Sequence, residues 1–137
     1  MALESTLVFE TSVPIPFTCA DGVAIPKGSL LELSDPMTVA ITNGDNDAII
    51  GVAAEEKVAN DGKTSISVYT SGIFKGYAGA AGVTAGQSII SDTGTGAANE
   101  LVNSDVNSEN IVGRALETAT DGQTFLYMLS PFNVNLA

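Results

Sequence analysis

Histidine and tryptophan are absent from the 137 residues, and cysteine occurs once, at Cys19. The lack of histidine removes the commonest general base and the commonest metal ligand together. One thiol can form neither an internal disulfide nor a thiolate cage. In the segment FTCADG, with no imidazole anywhere to lower its pKa, Cys19 reads as a buried, inert thiol. Cations are scarce as well: Lys27, Lys57, Lys63, Lys75 and Arg114 stand against sixteen carboxylates, a formal net charge of -11. No basic stripe is present to displace counterions from phosphates, so nucleic acid is not an expected partner. The same repulsion argues against anionic membrane surfaces, and no run reaches the about 18 apolar residues of a spanning helix. The opening MALESTLVFETSVPIPF lacks the basic leader and cleavage site of a secretory signal, so synthesis in the cytoplasm is expected.

What the chain does contain is glycine at turn-like positions and short β-branched runs. Pairs that tolerate positive φ fall at Asp21-Gly22, Asn43-Gly44, Asp61-Gly62 and Asp121-Gly122. Between them, SISVYT at 65–70 and TFLYML at 124–129 have strand composition. No window of eleven or more residues carries a helical apolar stripe, although EEKVA at 55–59 could form a single helical turn. The fold class expected is therefore all-β.

An internal repeat carries more information. IIGVAAEEKVANDGKTSISVY, 49–69, aligns with IVGRALETATDGQTFLYML, 111–129. Gly51, Ala53 and Glu55 match Gly113, Ala115 and Glu117 at a spacing of 62, while Asp61, Gly62 and Thr64 match Asp121, Gly122 and Thr124 at 60, so two residues are missing from the second copy's loop. Upstream, IPKGSLLELSD at 25–35 echoes VTAGQSIISD at 83–92, with Gly28 opposite Gly86. Two β-units, about 25–70 and 83–129, are each too small to bury an apolar face alone, and are expected to pack as one compact β-barrel or β-sandwich. The domain reading is an N-terminal arm over 1–18 and a single β-domain over 19–137. Within the repeats, SDPMTVAITNGDND reads as a first loop and SDTGTGAANELVNSDVNSEN as a longer, polar second loop.

The segment 1–18 precedes both repeats. Its TLVF run and its prolines predict an extended stretch that cannot sit centrally in a sheet. Leu7, Val8, Phe9, Pro14 and Pro16 are the candidate capsid or partner contact residues, in an arm suited to strand addition on another subunit. An edge strand of the chain's own domain is the equal alternative.

The remaining constellations favour structure over chemistry. Asn43, Asp45 and Asp47 alternate like the start of a calcium loop, but no glutamate stands at its twelfth position, and an acidic turn is expected. Glu55 and Glu117 could face each other as acid and base, yet their placement in a repeat is explained by shared structure. The glycines of YAGAAGVTAG lack the GlyLysSer or GlyLysThr of a phosphate loop. No catalytic residue, metal ligand or cofactor is assigned.

Taken together, GSLLELSDP, IIGVAAEEKVANDGKTSISVYTSGIF, AGQSIIS and IVGRALETATDGQTFLYMLSP resemble the small capsid decoration, or cement, proteins of tailed phages, over roughly residues 12–131. The segment MALESTLVFETSV has no counterpart in that pattern. The resemblance implies a compact β-protein without enzymatic activity, assembled as a homotrimer on the outer capsid surface. Its implied partner is the major capsid protein lattice, which it would reinforce. A rival reading is a virion head fibre or adhesin whose second loop, 93–110 with Asn99, Asn103, Asn107 and Asn110, binds a host-surface glycan.

Overall fold

The computed structural model describes residues 3–42, 48–92, 99–104 and 110–133. Among them are eleven strands and no helix: β1 (Thr6–Phe9), β2 (Ile15–Thr18), β3 (Leu30–Asp35), β4 (Thr38–Ile41), β5 (Ile49–Ala53), β6 (Ser65–Tyr69), β7 (Gly72–Ala78), β8 (Ser88–Ser91), β9 (Glu100–Asn103), β10 (Asn110–Ala115) and β11 (Thr124–Asn133). The segment 55–59 does not form a helical turn. It bends, and Lys57 bridges to Ile25.

Each repeat closes into a barrel together with the strand that precedes it, β2 or β7. In the first, β2-β4-β3-β5-β6 form a closed barrel. In the second, β7, β11, β10, β8 and β9 follow one another in the sheet, and a parallel β7–β9 pairing closes the ring. The two circuits are equivalent strand for strand. Side chains alternate as the strand pattern requires: Ile66 and Val68 of SISVY point inward, as do Phe125, Tyr127 and Leu129 of TFLYML, while their neighbours point outward.

The hydrogen bonds repeat as well. Gly28 N–H donates to Ala53 O at 2.9 Å and Gly86 N–H to Ala115 O at 2.8 Å; Ala53 N–H donates to Ser29 O and Ala115 N–H to Gln87 O, both at 2.9 Å. Lys57 and Ala119 bridge to Ile25 and Val83 in turn. Gly51 and Gly113 are required by close approach, because a Cβ at either would run into a backbone carbonyl of the closing strand, that of Tyr69 or of Met128. The register corrects one sequence expectation. Ala53 pairs with Val68 and Ala115 with Tyr127, so the copies are 62 apart on the opening strand but 59 on the closing one. Three residues, not two, are therefore missing by that point, and the counterpart of Tyr127 is Val68.

The loops of the repeats also contain unforeseen strands. SDPMTVAI is a tight hairpin, with β4 following a two-residue turn at Pro36-Met37. Within the longer stretch, β9 is the strand that closes the second barrel. The Asn43-Gly44 pair and the Asn43, Asp45 and Asp47 constellation lie outside the described residues.

Two cores result. One, inside the first barrel, is mainly aliphatic: Phe17, Cys19, Ile25, Leu31, Val39, Ala53, Ile66 and Val68. The other fills the second barrel and reaches across to Leu30, Ile49 and Val52 of the first. Consecutive leucines on β3 thus serve different cores. Stacked aromatics centre the shared core, with Phe74 and Tyr127 ring centroids 5.9 Å apart and Tyr69 edge-on to Phe74 at 5.8 Å.

Candidate partner-binding surfaces

The N-terminal segment is built into the protein's own barrels. β1 pairs antiparallel with β7 and is the edge strand of the second sheet, and β2 is a strand of the first barrel. Just before β1, Ser5 ties the two together. Its N–H donates to Gly28 O of the first barrel at 2.8 Å, and its hydroxyl meets the Tyr127 hydroxyl of the second at 2.7 Å in a buried contact. Burial pushes the Tyr127 phenol far up, so it stays neutral. β1 thus takes the edge-strand alternative.

The five candidate contact residues separate on this frame. Leu7 packs against the shared core, while Val8, beside a bulge in β1, and Phe9 are exposed, Phe9 at 62%. Pro16 is exposed and Pro14 half-buried. Pro16 guards an edge. β2 pairs with β4 at Thr18 alone, so residues 15–17 have a strand neighbour only on the β6 side. Opposite Pro16, Ser67 turns its N–H and C=O toward β5's continuation, accepting from Ala54 N–H and donating to Glu55. Pro16 therefore faces its backbone nitrogen to the open side, where an N–H would invite another strand.

The paired glutamates have structural work. Glu55 Oε2 accepts the Ser67 N–H at 2.8 Å and Glu117 Oε1 accepts the Leu126 N–H at 3.0 Å, the same latch in each repeat. The hydrogen bonds from Ser67 hold the Glu55 carboxyl below its ordinary range, which suits a fixed acceptor rather than a proton donor. Nor is the second loop free for a ligand at its described residues. Asn99 is buried, and its Oδ1 accepts the Leu30 N–H at 2.8 Å, joining the barrels. Asn103 makes two hydrogen bonds with Thr84. Asn107 lies outside the described residues.

Lys57 is the charged centre of the first barrel. Its side chain, 2% exposed, donates to Asp21 O (2.9 Å), Val58 O (3.0 Å) and Asp61 Oδ1 (3.0 Å), and reaches Asp21 Oδ1 at 3.4 Å. Burial pulls its pKa down, but Asp61 and Asp21 outweigh this and the net shift is upward. Asp61, held by the Lys63 N–H and by Lys57, falls to about 2. Nothing in the sequence singled out Lys57. Cys19 beside this cluster is pushed up by burial, against a smaller opposing pull from Lys57.

Two surfaces remain. A cavity of about 610 Å3 opens between the barrels, bounded by Glu4, Ser5, Lys27, Val52, Tyr69 and Tyr77 among others. Across the second barrel's outer face, the register lines up Phe9, Ile73, Met128 and Arg114 in one row, with Lys75 and Leu126 in the next. That face holds apolar side chains in contact with solvent and no array of nucleophile and base.

A family model described as phage cement protein matches residues 10–129. Among solved structures, the head fibre gp8.5 N base of bacteriophage phi29 is similar, with a TM-score of 0.58 and 20% identity over 90% of this chain and 98% of that one, a likeness of fold. No curated protein sequence matches.

Proposed function

The chain belongs to the phage cement protein family, and on that premise we propose that it binds the outer surface of a tailed-phage head as a homotrimer and stabilises the expanded shell. The observation that carries this reading is the family match over nearly the whole two-barrel unit. Physical features support it. The candidate acid, base and nucleophile groups are engaged in the fold: Glu55 and Glu117 latch strands, Lys57 anchors a turn and Cys19 is buried. We assign the protein no reaction.

Such a protein needs affinity for the assembled lattice over the free subunit. Linking three weak contacts in a trimer multiplies affinity by about 10² to 10⁴, and binding only to the expanded shell stabilises that state by mass action. The net charge of -11 suits opposing basic patches on the shell and disfavours nucleic acid and anionic membranes. Of the N-terminal candidates, Val8, Phe9, Pro14 and Pro16 remain proposed contacts with a partner, while Leu7 acts through the core that holds β1 in place.

The fold likeness to a head-fibre base supports a second reading, in which the chain anchors a fibre to the head. Of the second loop's asparagines, Asn99 and Asn103 serve the fold. Sedimentation tests the primary reading. Purified protein is mixed with undecorated expanded capsids and, separately, with free capsid subunits. Co-pelleting with the capsids alone is expected, and its absence would end the cement reading.

A further inference from the structure

The second barrel's outer face is unusual for so acidic a chain. After Lys63 the sequence holds only two cations, Lys75 and Arg114, and both lie on this face. Register places Arg114 beside Met128, Met128 beside Ile73, and Ile73 beside Phe9, on the outward side of the pleat, with Lys75 two residues along β7. Phe9 is 62% and Met128 45% exposed. Isolated exposed apolar residues are ordinary, but an aligned row of them flanked by charges of the minority sign marks an interaction surface.

The same chain carries a shape of the opposite character. At the tip of the β3–β4 hairpin, Leu33, Asp35 and Met37 are exposed, Met37 at 58%. Met37 has φ of +52° at the second central position of the turn, after Pro36, where glycine or asparagine is the ordinary choice. A left-handed methionine costs stability, and such costs gather at functional positions. Two identical molecules of charge -11 repel, so a contact between them has to match unlike local charges.

We infer that the β3–β4 hairpin tip of one copy seats on the Phe9-Ile73-Met128 face of a second copy, with Asp35 opposite Arg114 and Lys75. This rests on the subunit association proposed above and gives it a surface. The contact joins unlike patches, so each copy offers one tip and one face, a head-to-tail arrangement that forms a ring where its rotation closes.

Analytical ultracentrifugation over a concentration series tests it. The expected result is an assembled wild type, with Met128→Glu, Arg114→Asp and Asp35→Arg each weakening self-association at least tenfold. The double variant Asp35→Arg/Arg114→Asp is expected to recover it, which a merely damaged fold would not do. Met37→Gly is expected to weaken association while keeping or raising the melting temperature, since it removes the contact and the unfavourable φ together. Single variants that assemble like wild type would overturn this surface and leave subunit association standing. A wild type that is monomeric throughout would overturn both, with shell binding still judged by pelleting.

Discussion

At residue scale the structure turns on Lys57, a cation folded under Asp21 and Asp61. Depressed carboxylates contribute stability that is present above their ordinary pKa and lost as pH falls through the folded value. Asp61, lowered from 3.8 to about 2, therefore predicts a melting temperature that drops as pH is taken from about 4 to 2, with Glu55, also lowered, adding to the same loss. Raised above its ordinary 10.5, Lys57 acts in the opposite window, its contribution disappearing only at strongly alkaline pH. Melting curves of wild type and Asp61→Asn between pH 5 and 2 check this, the variant being less stable at pH 5 and showing the shallower decline. Cys19, buried and with its thiol raised by that burial, is expected to react with a disulfide reagent only on unfolding, as a time course with and without denaturant would show. The burial of Cys19 was legible in the sequence, where no histidine stands to activate an exposed thiol. The role of Lys57 was not, since Asp21 is 36 residues away and only the barrel brings them together.

At the scale of elements, the repeat was legible because its glycines are imposed by backbone contact. Alanine at Gly51 or Gly113 would put a Cβ against a carbonyl in the same place in each barrel, and each substitution is expected to cost about 1–3 kcal/mol, measured by urea unfolding. The small strands β4 and β9 escaped notice because turn-rich composition surrounds them. β9 also depends for its pairing on β7, a partner distant in sequence. In the N-terminal segment, Ser5 was not recognised as the tie between barrels, because neither Gly28 nor Tyr127 lies near it in sequence. Its value is testable: Tyr127→Phe strands a buried hydroxyl and is expected to cost about 1–3 kcal/mol. Thermal unfolding of Tyr127→Phe, Ser5→Ala and the double variant should then show strong coupling, the double costing clearly less than the sum. For this reason a deletion through Ser5 confounds contact with folding, and Val8→Ser or Phe9→Ser are the better probes of partner binding.

At the scale of the whole molecule, two similar barrels share one aromatic-centred core and are pinned by Ser5 and Asn99. All-β architecture built from two units was legible from the duplicated pattern. That each unit closes its own barrel was not, because closure rests on the parallel pairings of β2 with β4 and β7 with β9, which leave no periodic trace in the sequence. On the function proposed above, such an acidic body would act by occupying a surface, and its effect would belong to the shell it covers. The direct measurement is the rupture temperature of undecorated expanded capsids, followed by release of an enclosed dye, with and without saturating protein. A higher rupture temperature, saturating as the shell's sites fill, is predicted; an unchanged rupture temperature at saturation would contradict the account.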